Sequence, residues 1–238
     1  MTIDEICRKY GITNYIINDD GTIDVNGNVW LNNRDLVEFP LTFNRVSGYF
    51  NCGSNELTSL KGCPKWVGGY FSCGGNRLTS LEFSPEYVGD DFNCSYNELT
   101  TLKGSSTHVG GHFRCGDNLL TSLEFSPDYI EMDFLCNDNR LTSLVGSPKH
   151  VGGDFVCSDN EDLNNITGCT EKIGKYFFCN DTLLHSIFNV VDRHFLYTFN
   201  FYKIIKEDTV NLKRLKYVMD LYNKPIDLDK IQKYYKLV

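Results

Sequence analysis

Ten cysteines and a recurring set of aspartates and histidines are the residues of this 238-residue chain whose types and spacing could do chemistry. Seven cysteines keep time: Cys52, Cys73, Cys94, Cys115, Cys136 and Cys157 stand 21 residues apart, and Cys179 follows after 22. Zinc or a dithiol redox centre would call for Cys-x-x-Cys spacing, and no such pair occurs. One thiol per repeat acts instead as a small apolar residue pointing inward. The ladder therefore reads as reduced and structural, with Cys7, Cys63 and Cys169 off it. Asp133 and Asp154 occupy the same position of successive repeats, where a carboxylate pair could run acid–base hydrolysis. Asp91, His112 and Asp133 could hold a divalent metal. Neither set specifies a third partner or a site that excludes water. The expectation is a non-enzyme with no catalytic residue, no metal and no cofactor.

The elements that position these residues come from the repeat itself. Phe50, Phe71, Phe92, Phe113, Phe134, Phe155 and Phe177 precede each cysteine by two, and the alternation marks a short strand with one buried face. Leu57, Leu78, Leu99, Leu120, Leu141, Leu163 and Leu184 follow it, with a second apolar residue three further on. Val67, Val88, Val109, Ile130, Val151 and Ile173 close the turns. No single coil could bury these ladders; stacking buries them. Asn55, Asn76, Asn97, Asn118, Asn139 and Asn160 form a polar ladder whose carboxamides can satisfy backbone groups left open by the turn. Gly-Gly pairs at 68–69, 110–111 and 152–153 suit a tight corner before the strand. Pro64, Pro85, Pro127 and Pro148 make the return arm extended or turn-like.

Phe-x-Cys-x-x-Asn-x-Leu-x-x-Leu matches the strand half of a leucine-rich repeat. With the run Asp20-Gly21-Thr22-Ile23-Asp24-Val25-Asn26-Gly27-Asn28-Val29 and the Val-Gly-Gly-x-Phe coils, residues 15–187 resemble short leucine-rich-repeat proteins encoded by tailed bacteriophages. The resemblance implies a fold and a viral origin but carries no activity and no functional residues. The chain departs from the pattern at Glu131-Met132, where Gly-Gly is expected, and at Glu161-Asp162, where one residue is added.

The fold expected is a mainly β repeat solenoid, a leucine-rich-repeat-like array of about eight 21-residue coils with a parallel sheet on one face. Residues 1–28 form an N-terminal cap of a short helix, opened by a Thr2/Glu5 capping box and ended by Gly11, and a hairpin over Tyr15–Ile17 and Thr22–Val25. Residues 29–189 form the solenoid. Residues 190–238 form a C-terminal helical cap, with a helix from Asp208 or Thr209 to Tyr222 and another from Asp227 to Leu237.

The outward strand positions carry the information, because the scaffold leaves them free. The column before Phe reads Asn28, Tyr49, Tyr70, Asp91, His112, Asp133, Asp154, Tyr176; the column after it reads Trp30, Asn51, Ser72, Asn93, Arg114, Leu135, Val156, Phe178. Aromatics gather at both ends (Trp30, Tyr49, Tyr70; Tyr176, Phe178) and charges in the middle (Asp91, His112, Arg114, Asp133, Asp154). Exposed aromatics and an arginine beside the apolar stripe Leu135, Val156, Phe178 are what protein hot spots use; burial of both ends under the caps is the competing reading. A further column, Trp66, Tyr87, His108, Tyr129, His150, Lys172, is either a lateral rim or a cover for the return arm.

Residues 1–189 hold 13 basic and 25 acidic side chains, a net of −12, whereas 190–238 hold 10 and 6, a net of +4. An acidic array repels phosphate backbones, which excludes broad nucleic-acid binding. The start is broken by Asp4 and Glu5, and no apolar run reaches membrane-spanning length, so a cytoplasmic protein is expected. The function expected is a protein–protein interaction scaffold, phage-encoded, that binds or inhibits a host protein such as a defence factor. The alternatives are a structural component of the virus particle and a hydrolase using the strand-face carboxylates.

Overall fold

The computed structural model describes every residue except Glu171, Phe188, Asn189, Glu207 and Asp208. Its central body is a β-solenoid of about seven stacked turns. Short parallel strands recur from Val29–Trp30 through Phe50–Asn51, Phe71–Ser72, Phe92–Asn93, Phe113–Arg114, Phe134–Leu135 and Phe155–Val156 to Tyr176–Phe178, and Val190–Asp192 closes this sheet antiparallel. The register pairs each Phe with the Phe one coil on, for example Phe113 with Phe134. This is the Phe sheet.

A second sheet, not expected from the sequence, runs along the return arm. Strands Phe43–Val46, Trp66–Val67, Tyr87–Val88, His108–Val109, Tyr129–Ile130 and His150–Val151 pair in parallel, Ile23–Val25 precedes them, and Tyr15–Ile17 opens the edge antiparallel. The single-sheet expectation is corrected for a simple reason. Each proline stands two residues before its strand, where it ends the turn without removing a ladder donor, so the β-branched closing position is free to pair.

Between the two sheets the apolar ladders form one core. Phe50, Phe71, Phe92, Phe113, Phe134, Phe155 and Phe177 are fully buried, with consecutive ring centroids 4.9 to 6.1 Å apart. The seven ladder cysteines are buried, and several point their Sγ–H at a carbonyl of the next coil, as Cys52 does to Ser72 at 3.2 Å. Burial pushes these thiols well above their ordinary range, so they are poor nucleophiles.

The asparagine ladder does what its position demands. Asn118 Oδ1 accepts from Leu99 N–H at 3.0 Å, while its Nδ2 donates to the carbonyls of Cys94, Cys115 and Gly116. The Oδ1 contact and both cysteine carbonyls recur at Asn76, Asn97, Asn139 and Asn160. Each asparagine therefore spans two coils.

At the start, Ile3–Tyr10 is a helix with the Thr2/Glu5 capping box formed in both directions and Gly11 left-handed at its end. Cys7 and Ile12 join the core. At the other end, Arg193–Phe201, Leu212–Leu221 and Leu228–Gln232 are helices capped by Asp192, Asn211 and Asp227. The long helix expected from Asp208 or Thr209 is shorter. Asp208 lies outside the described residues, and Thr209–Val210 is a strand of a three-stranded sheet with Ile205–Lys206 and Lys236–Leu237. That sheet also ends the last helix early, at Gln232 rather than Leu237. Phe195, Leu196, Phe199, Val210 and Tyr235 belong to the same hydrophobic core as the coils, and the Tyr235 hydroxyl donates to the Asn164 carbonyl. Among the described residues no helix is long and apolar enough to cross a membrane.

Candidate functional site

The outer side of the Phe sheet collects the two expected columns on one face, one residue per coil. Its members differ sharply in what they touch. In the column before Phe, the side-chain oxygen of one coil accepts the backbone N–H of the next coil's column residue. Asn28 Oδ1 does so for Tyr49, Asp91 for His112, Asp133 for Asp154 and Asp154 for Tyr176, at 2.7 to 3.0 Å. Room for these oxygens comes from glycine: a Cβ at Gly111 would stand 2.3 Å from Asp91 Oδ1, and one at Gly153 would stand 2.0 Å from Asp133 Oδ1. At 110–111 and 152–153 the second glycine thus serves the capping carboxylate of the coil before it as well as the corner.

This accounts for the charged middle of the face. Asp133 and Asp154 are spent on consecutive backbone N–H groups rather than aimed at a common point. Asp91 pairs with Arg114, Oδ2 to Nη1, at 2.7 Å. Burial pulls the Asp91 carboxyl upward, but the Arg114 hydrogen bond, the His112 N–H and the Arg114 charge together hold it below the usual carboxylate range. His112 faces the other way along the column. Its Nδ1 takes the Asp133 N–H at 3.2 Å when unprotonated, and the same atom stands 3.0 Å from Asp133 Oδ2. Among the described residues no group of three or more His, Cys, Asp or Glu is placed to hold a metal ion.

The two ends of the face remain available. At the far end Leu135, Val156 and Phe178 lie side by side on consecutive strands, each half-buried, with Tyr176 51% exposed and its ring 6.2 Å from that of Phe178. Residues 190–192 do not cover them. These residues continue the sheet beside them, with Val190 in register with Phe178. At the near end Trp30, Tyr49 and Tyr70 form an edge-to-face chain with centroids 6.3 and 6.4 Å apart.

Of the two readings of the lateral column, the structure favours the cover. The Arg45 guanidinium sits 3.5 Å over Trp66, followed by Tyr87, His108, Tyr129 and His150 as a continuous stack with centroids 4.4 to 6.1 Å apart and planes within 19°. Ring faces already stacked on each other offer only edges to a ligand.

Two columns escaped the sequence reading. One is the left-handed position two residues after each ladder cysteine, occupied by Ser54, Gly75, Tyr96, Asp117, Asp138, Asp159 and Asp181. Four aspartates in succession there form an acidic ridge. Burial first, and the neighbouring Asp138 charge second, raise the carboxyls of Asp117 and Asp159, with the Tyr96 hydroxyl acting the other way on Asp117. A raised folded value means that the folded chain binds more protons than the unfolded one between the two values. Stability therefore falls as pH rises through that window, and the cost persists at neutral pH. Asp117→Asn and Asp159→Asn should each stabilise the neutral-pH protein by on the order of 0.5 kcal/mol, a value discounted for solvent screening, and the gain should vanish in acid. Asn33 holds the same left-handed backbone in this column. Thermal melts at neutral and acidic pH decide it, and an equal or lower neutral-pH midpoint would show that the ridge is not strained.

The other missed column reads Gly62, Phe83, Gly104, Phe125, Gly146, Gly168, all at positive φ. Phe83 and Phe125 break the glycine rule while 62% and 60% exposed. The signal was legible as Glu-Phe-Ser-Pro in two coils, against Lys-Gly, Val-Gly or Thr-Gly in the others. Comparison with protein-family models, with curated proteins and with solved structures finds no match.

Proposed function

We propose that this chain is a non-enzymatic protein-interaction scaffold of the leucine-rich-repeat kind, encoded by a phage and directed at a protein of its host in the host cytoplasm. The observation that carries the reading is the stripe Leu135–Val156–Phe178. Three large apolar side chains stand half-open on a rigid sheet, although the fold needs nothing apolar on that face. Asp133, Asp154 and Tyr176 give it a polar margin, and the Arg114–Asp91 pair extends it upstream, the anatomy of an interface core with its rim. The coil motif and the one buried thiol per coil support the repeat type and a reducing compartment. The carboxylates bound to backbone N–H groups weigh against hydrolysis.

The test is capture of a stoichiometric partner from host extract by the purified chain, repeated with Val156→Ser/Phe178→Ser. Loss of on the order of 2 kcal/mol of affinity is expected if these are anchors, with the folded state nearly unchanged. Undiminished capture by the double variant would move the interface off this stripe. If Phe178→Ser alone unfolds the chain, the stripe is core shared with the C-terminal segment.

A further inference from the structure

The near end of the Phe sheet has a different chemistry from the stripe. Its floor is uncharged and polar: Asn51, Ser72 and Asn93 on successive strands, with Gly53 and Gly74 beside them. Together with Asn32, Ser54, Gly75 and Tyr96 these residues line a groove of about 420 Å³, within the range of small-ligand sites. Trp30 stands at one end of the floor column and the Asp91–Arg114 pair, its charges matched, closes the other. Tyr49 and Tyr70 stand two residues before Asn51 and Ser72, beyond the lining itself. Tyr96 walls one side.

Three observations indicate that this groove is built to hold something. First, its hydrogen-bonding groups are held in place yet unspent. Asn51 Oδ1 and Asn93 Oδ1 accept from the N–H groups of Gly53 and Ser95, which fixes each carboxamide and leaves its NH2 without a partner among the described residues. Ser72 lies between them, 5% exposed, with its hydroxyl open to the groove and no protein partner among the described residues. Second, the glycines keep the floor low. A Cβ at Gly53 would stand 2.9 Å from the Gly74 carbonyl and 3.4 Å from Ser72 Oγ. Third, Tyr96 holds φ at +57° while 66% exposed. A bulky residue in the left-handed region costs energy and here gains no burial, the pattern expected where function selects the side chain.

The lining also names the ligand class. With no unpaired cation among these residues the groove offers nothing for phosphate or carboxylate, and with no free carboxylate it offers nothing for a cation. Carboxamide and hydroxyl donors on the floor match the hydroxyls of a sugar, and exposed indole and phenol rings match the apolar C–H faces of a pyranose. A peptide would ask for pockets at alternate side chains or for a free sheet edge, and a glycine-lined floor supplies no such pockets. We infer that residues 30–96 of the Phe sheet bind a neutral oligosaccharide, laid along the solenoid axis across the Asn51–Ser72–Asn93 column with its rings against Trp30, Tyr49 and Tyr96. This is a site separate from the protein-binding stripe.

The test uses the full chain carrying Trp66→Phe, which keeps a ring in the lateral stack and leaves Trp30 as the only tryptophan. Its fluorescence is followed during titration with cellohexaose, maltohexaose and chitohexaose, with a neutral Gly/Ser hexapeptide in parallel. At least one of the sugars should shift the Trp30 emission in a saturable way, and the peptide should not. Ser72→Ala should weaken that binding by about tenfold. Tyr96→Gly should weaken it similarly while keeping or raising the melting temperature, because the left-handed strain is released. No saturable shift with any of the three sugars at millimolar concentration overturns the inference, as does binding of the peptide in their place or undiminished sugar binding by both variants. Val156→Ser/Phe178→Ser should bind sugar as the parent does, so the outcome stands apart from that of the protein-partner test.

Discussion

Phe155→Ser should lower the melting temperature by on the order of 10 °C, the largest single effect expected in this molecule. Phe155 is fully buried between Phe134 and Phe177, with ring centroids 5.0 and 5.4 Å away. Truncating a buried phenylalanine costs about 3–5 kcal/mol, and a serine adds a hydroxyl with no partner in an apolar column. In a stacked array the loss is shared by both interfaces of the coil, because each repeat contacts only its neighbours. For a chain of this size about 1 kcal/mol corresponds to roughly 2–4 °C. Val156→Ser, one residue along the same strand but on its outer face, should cost no more than about 1 kcal/mol. Paired thermal melts of the two variants measure the difference directly. Equal losses would mean that the outer face is as much core as the inner one, and the protein-binding stripe would have to be abandoned.

The second large effect tests the asparagine ladder with an isostere. Asn118→Asp keeps an oxygen for the Leu99 N–H but replaces the NH2 group that serves the carbonyls of Cys94, Cys115 and Gly116. An ionised oxygen would then face three carbonyl oxygens at a position 7% exposed. An uncompensated buried charge of this kind costs about 3–5 kcal/mol. Desolvation and the facing dipoles raise the folded carboxyl above its unfolded value. The penalty is therefore full at neutral pH and diminishes as pH falls through that raised value, where protonation restores a donor. Chemical denaturation across a pH series should show the variant approaching the parent in acid. A pH-independent deficit would mean that lost packing, rather than the missing donor, sets the cost. Asn55→Asp should cost less, since Asn55 belongs to the first coil of the ladder and is only part-buried.

Much of this fold was legible because a solenoid repeats its constraints. Phe, Cys, Leu, Val and Asn recur at one spacing, and each recurrence repeats the same instruction: bury this face, satisfy this turn. The two exposed columns of the Phe sheet followed from the period of two alone. Their chemistry did not. Asp133 and Asp154 looked like a carboxylate pair in sequence, whereas the backbone places each oxygen on the next coil's N–H. No spacing rule distinguishes a carboxylate that caps a strand from one that faces substrate. The glycine that makes room for it is the only local hint. The C-terminal segment was read less well because it is used once. Without repetition, the amphipathic stretch after Asp208 gave no means of telling a strand at Thr209–Val210 from the first turn of a helix.

By itself, then, the sequence determined the solenoid, its core ladders, its buried thiols and the faces of its strands, because these depend on local periodicity and on apolar area that only stacking can bury. Tertiary structure decided the rest. It joined the return arm into a second parallel sheet, stacked Trp66, Tyr87, His108, Tyr129 and His150 face to face, and spent the central carboxylates on backbone donors. It also turned the Ser72 hydroxyl and the NH2 groups of Asn51 and Asn93 toward one groove. Those outcomes depend on which groups from different coils meet at hydrogen-bond distance. A spacing of 21 brings residues to the same height on neighbouring coils, but the direction in which each polar atom points is fixed only when the chain is folded.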